Sequence, residues 1–158
     1  MKILTKNKTK YDCGLIAIFN ALAWCKIPKT YKQIEKIAKT CGYSPDKGIY
    51  NFQLNNLIQK LNIPAKQVKP KSLEEIQESL YLGRFFIFLY RPTGDDGGHA
   101  ITSFVDHNGK IKLINSDQER MTWNEFASDI HANGMKAFHV YEIPYRGTFA
   151  DDFRKRTD

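Results

Sequence analysis

Residues able to carry out acyl chemistry stand far apart in this chain: a thiol at Cys13, an imidazole at His99, and a side-chain amide and a carboxylate at Asn115 and Asp117. The thiol lies in KTKYDCGLIAIFNALAWC, residues 8–25, where polar residues give way to a long apolar run. That run is apolar nearly all round over residues 14–24, which predicts a helix buried on most faces with Cys13 in its first turn. Unpaired backbone N–H groups and the positive end of the helix dipole favour thiolate at such a position, and thiolate is the nucleophile. Asp12 resembles a helix-capping residue. Gly14 removes side-chain bulk beside the sulfur, where a substrate backbone would approach. Cys25 and Cys41 lack such flanks and are read as small buried hydrophobes.

A nucleophilic cysteine needs a base. Among the four histidines, His107 falls in a turn, His131 follows a helix end and His139 lies within a terminal strand. His99 opens a strand straight after Gly97-Gly98, at a sheet end where side chains border a cleft, and is the candidate base. Its orienting partner follows from the hairpin formed by residues 99–106 and 110–115. A three-residue turn, His107-Asn108-Gly109, with Gly109 left-handed in a bulge makes the numbers of paired residues sum to 216. Val105 then faces Ile111, and Lys110 and Lys112 point away from that face. A two-residue turn would bury the lysines, because a slip of one residue exchanges the two faces. In the preferred register Asp117 lies opposite His99 and Asn115 diagonal to it, so either can fix the ring.

The elements needed to hold these groups can be read from periodicity and punctuation. Pro28 ends the first helix, and Thr30 to Gln33 reads as a capping box opening a second helix that Gly42 stops. Residues 43–50 form a loop, residues 52–61 a helix, residues 67–69 a possible short strand, and Ser72 to Glu75 begins a capped helix carrying Leu73, Ile76 and Leu80 on one face. From residue 84 strands dominate: 85–90 is aromatic and β-branched, 91–98 is a glycine-rich loop, then come the hairpin, a helix capped by Thr122 and Glu125, and a last strand over 137–143. Helices first and antiparallel strands later describe an α+β domain of two layers spanning residues 1–144, with the first helix against the sheet and a polar tail over 145–158.

Composition sets the outer bounds. With 158 residues, 42% of them apolar and 26% charged, one domain with its own core is expected. Three cysteines without Cys-x-x-Cys spacing suggest neither a disulfide framework nor a zinc ribbon, and no metal or other cofactor is expected. The lysine-rich start and an apolar run too short to span a bilayer point to an unexported, cytoplasmic protein without membrane contact. The net charge of +7 is read as a solubilising surface. No base-reading motif, zinc-finger spacing or phosphate loop makes nucleic acid a partner.

Together YDCGLIAIFNAL, GGHAITSF and KIKLINSD resemble the papain-like cysteine peptidases, most closely the bacteriocin-leader-processing peptidases of family C39 and their stand-alone relatives. The resemblance runs over residues 7–126. It implies a papain-like fold, Cys13 as nucleophile, His99 as general base, Asn115 rather than Asp117 as orienter, and a peptide or protein substrate. The family places a glutamine six residues before the cysteine as an oxyanion donor; this chain has Asn7, which keeps the NH₂ group on a shorter side chain. No transmembrane region or nucleotide-binding domain follows, which implies a free-standing enzyme. The same residues would serve acyl transfer, and a fold that kept only its peptide groove would be a binding module.

Overall fold

Every residue of FFIFLY, Phe85–Tyr90, is buried, and both of its alternating sets are apolar. A strand of this kind must be covered on both faces, and that requirement sets the layering. A computed structural model describes residues 3–70, 72–90, 99–114, 121–132 and 138–144. Asn115, Asp117, the loop 91–98, Ala137 and the tail 145–158 lie outside the described residues.

The described residues form helices α1 (Cys13–Trp24), α2 (Tyr31–Thr40), α3 (Asn51–Lys60), α4 (Leu73–Tyr81) and α5 (Trp123–Ala132). The strands are β1 (Lys66–Val68), β2 (Phe85–Tyr90), β3 (His99–Val105), β4 (Ile111–Ile114) and β5 (His139–Ile143). They make one antiparallel sheet in the order β1-β5-β2-β3-β4. The class is α+β, as expected, but the layers number three. Phe85, Ile87 and Leu89 share a core with α1, α2 and α3, whereas Phe86, Phe88 and Tyr90 share another with α4 and α5. The two-layer expectation overlooked that β2 is apolar on its second face too.

Local signals placed most elements. The capping box at Thr30 is complete, with Gln33 N–H donating to Thr30 Oγ1 at 3.2 Å and Thr30 N–H donating to Gln33 Oε1 at 2.9 Å. Ser72 and Thr122 accept from Glu75 and Glu125 N–H in the same way. The hairpin has the expected register, with Val105 opposite Ile111 and Thr102 opposite Ile114, and Gly109 stands at φ +77°. The strand expected at 67–69 begins one residue earlier and pairs with β5.

The end of α1 differs from expectation. It closes four residues before Pro28 because Lys26 takes a left-handed conformation, φ 57°, which lets Ile27 N–H reach Leu22 O at 2.9 Å and Lys26 N–H reach Ala23 O at 3.1 Å. This is the Schellman arrangement that glycine usually serves, as Gly42 (φ 102°) does after α2.

Candidate active site

Cys13 is the first residue of α1 and is half-buried at the edge of the first core. Asp12 takes the N-cap position, yet its side chain makes no cap hydrogen bond. The expected capping role is therefore corrected: the carboxylate turns back, and Oδ2 accepts from Lys8 N–H at 3.0 Å, Thr9 N–H at 3.2 Å and Tyr31 OH at 2.6 Å. The Asp12 side chain thus leaves the first-turn N–H groups of α1 uncapped. Such groups can accept negative charge developing on a bound carbonyl oxygen.

The reason for Gly14 is also corrected. It is buried, and a Cβ built there would lie 2.4 Å from Ile49 Cγ2. The missing side chain makes room for the 43–50 loop rather than for a substrate. A Cβ on Gly48 in that loop would in turn lie 2.9 Å from Tyr11 O, so backbone packs on backbone beside Cys13.

Helix α1 runs alongside β3 in the same direction. Trp24 meets Phe104 at a tilt, with ring centroids 5.8 Å apart. Counting back the eleven steps from Trp24 to Cys13 covers about 16 Å of helix, and the five steps from Phe104 to His99 cover about 16 Å of strand. Cys13, Ile16, Ala17 and Asn20 accordingly line one small crevice with Ala100, Ile101 and Thr102. Cys13 and His99 thus reach the same end of the sheet.

They approach that end from different sides. Ala100 and Phe104 belong to the core under α1, whereas Ile101 belongs to the core under α4 and α5, so alternation puts His99 on the second face. His99 is 6% exposed, pairs with Tyr90, and meets the Tyr90 ring edge-on at 5.9 Å. Asn115 lies outside the described residues; β4 ends at Ile114, opposite Thr102 and in the same crevice as Cys13.

Asn7 is half-buried in a segment anchored on both sides. Ahead of it, Leu4 N–H donates to Asn20 Oδ1 at 2.8 Å and Asn20 Nδ2 donates to Leu4 O at 2.9 Å. This explains the amide inside an otherwise apolar helix: Asn20 is fully buried and pairs with backbone as a neighbouring strand would. Behind Asn7, the Lys8 and Thr9 amides are held by Asp12. That carboxylate is 0% exposed, and its Oδ1 has no hydrogen-bond partner among the described residues. Burial, then the hydrogen bond to Asp12, push the Tyr31 hydroxyl well above the usual tyrosine range. Burial also raises Tyr43.

Asn20 and Tyr31 are the participants that sequence reasoning missed. Asn20 was visible as a lone polar residue in an apolar run; Tyr31, nineteen positions after Asp12, carried no signal. Cys13, Cys25 and Cys41 form no disulfide among the described residues, and Cys25 and Cys41, expected to be buried, are half-buried. Among the described residues no group of three or more His, Cys, Asp or Glu could hold a metal ion, and no helix is long and apolar enough to cross a membrane. Comparison with known proteins finds no matching family model and no significant match among curated proteins.

Proposed function

We propose that this chain is a papain-like cysteine peptidase or isopeptidase of the C39-like kind, built as a single domain over residues 1–144. The supporting observation is that α1 and β3 run side by side in one direction, which brings the first residue of each, Cys13 and His99, to one end of the sheet. Cys13 Sγ attacks the substrate carbonyl carbon while its proton passes to His99. The oxygen, now negative, is received by Cys13 N–H and the Asn7 amide. Collapse of the tetrahedral intermediate breaks the C–N bond, and His99 returns the proton to the leaving amine. Water, deprotonated by His99, then hydrolyses the thioester and frees Cys13. Asn115 orients the imidazole.

His99 and Cys13 come from opposite faces of the sheet, so this reading requires the pair to meet around the sheet end when substrate binds. The same observation favours the second reading, a peptide-binding module without turnover. A thiol-directed electrophile and a library of peptide and isopeptide substrates decide between them. The peptidase reading expects hydrolysis that Cys13→Ala abolishes and His99→Ala reduces by at least about 10²-fold. Equal activity of wild type and Cys13→Ala would refute it.

A further inference from the structure

Asp12 is fully buried, ends no helix with its side chain, and has no part in the chemistry above, yet it collects three donors on one oxygen. A buried carboxylate is costly unless hydrogen-bonded, so a role is expected from what those donors belong to. Two are the amides of Lys8 and Thr9, the peptide groups that immediately follow Asn7. The third is Tyr31 of α2, a separate element of the first core. Ahead of Asn7, the chain is clamped at Leu4 by Asn20, one helical stretch along from Cys13.

We propose that Asp12, braced by Tyr31, is a positioning residue that sets the Asn7 side chain against the N-terminal end of α1, so that the amide and Cys13 N–H form one oxyanion site. This rests on the peptidase reading for the roles of Asn7 and Cys13. The carboxylate belongs to the residue that precedes Cys13 and is hydrogen-bonded to the segment behind Asn7, which makes it a short link between the two donors. Tyr31 OH, the one side-chain donor, fixes its rotation. A shorter amide than glutamine tolerates less positional error at this site.

The test uses Tyr31→Phe and Asp12→Asn in the full chain; Asn keeps an acceptor of the same shape, and Phe removes one hydroxyl. Two reactions of Cys13 are compared. Amide hydrolysis develops an oxyanion, whereas alkylation by iodoacetamide displaces iodide at a tetrahedral carbon and develops none. The expected result for Tyr31→Phe is a fall in kcat of about 10-fold with KM unchanged and the alkylation rate within about 2-fold of wild type. In an Asn7→Ala background the same substitution should change kcat by less than about 2-fold, because the group it positions is gone. Equal losses in both backgrounds, or parallel losses of hydrolysis and alkylation, would overturn the proposal. Amide hydrogen exchange needs no substrate: Lys8 and Thr9 should be protected in wild type and lose protection in Tyr31→Phe. Unchanged protection overturns the positioning role, whereas lost protection in a protein that hydrolyses nothing overturns only the peptidase reading.

Discussion

Gly14→Ala is the substitution that most directly tests how α1 is seated. An added Cβ would lie 2.4 Å from Ile49 Cγ2, while Ile49 Cβ stands at 3.8 Å, an ordinary contact. Carbon atoms rest at about 3.5–4.0 Å, so one methyl group must retreat by more than about 1 Å or the 43–50 loop must lift. Overpacking of this size costs about 1–3 kcal/mol, and the better helix propensity of alanine returns at most about 1 kcal/mol. A net loss of up to about 3 kcal/mol follows, which for a chain of this length lowers Tm by about 2–4 °C for each kcal/mol. Ile49→Ala removes Cγ2 and leaves Cβ, so in that background Gly14→Ala should be neutral or stabilising by up to about 1 kcal/mol. Thermal and urea unfolding of the four proteins in the cycle measure the coupling. Equal effects in both backgrounds would refute the steric account. A loss of hydrolysis in the double variant at unchanged stability would restore the view that Gly14 is small for a substrate's sake.

Two further predictions concern stability. Lys26→Gly should stabilise the fold by about 1 kcal/mol and raise Tm by about 2–4 °C, since the left-handed conformation at φ 57° strains a side chain and not glycine; an unchanged or lower Tm would show that other contacts of Lys26 outweigh its backbone. Burial pushes the Tyr141 hydroxyl up to about 12, so the unfolded chain releases this proton first, from about pH 10. Stability from this group is complete below pH 10 and falls as pH rises toward 12, by at most about 1.4 kcal/mol per pH unit. Urea titrations should show a shallower alkaline decline in Tyr141→Phe, with Tyr31 contributing a decline of the same sign that remains in the variant.

Much of the fold was legible because its signals are local. The Thr30, Ser72 and Thr122 caps lie within three residues of their partners, and the 107–109 turn transmits its register to the pairs from Val105–Ile111 to Thr102–Ile114 because side chains alternate with a period of two. The third layer was missed, because the order of helices and strands suggested two layers and the second apolar face of Phe85–Tyr90 was not weighed. Helix ends were legible only in part: Gly42 announces its left-handed turn, whereas nothing in Lys26 does.

The candidate site divides along the same line. Residue types and local placement, the thiol at a helix start and the imidazole at a strand start, follow from the sequence because each depends on a few neighbouring residues. What Asp12 bonds to, why Gly14 lacks a side chain, how Asn20 holds Leu4 and which face of β3 carries His99 depend on segments brought together by packing. A chain's local pattern records which positions want burial or a hydrogen bond, and only the assembled layers supply the partner that answers.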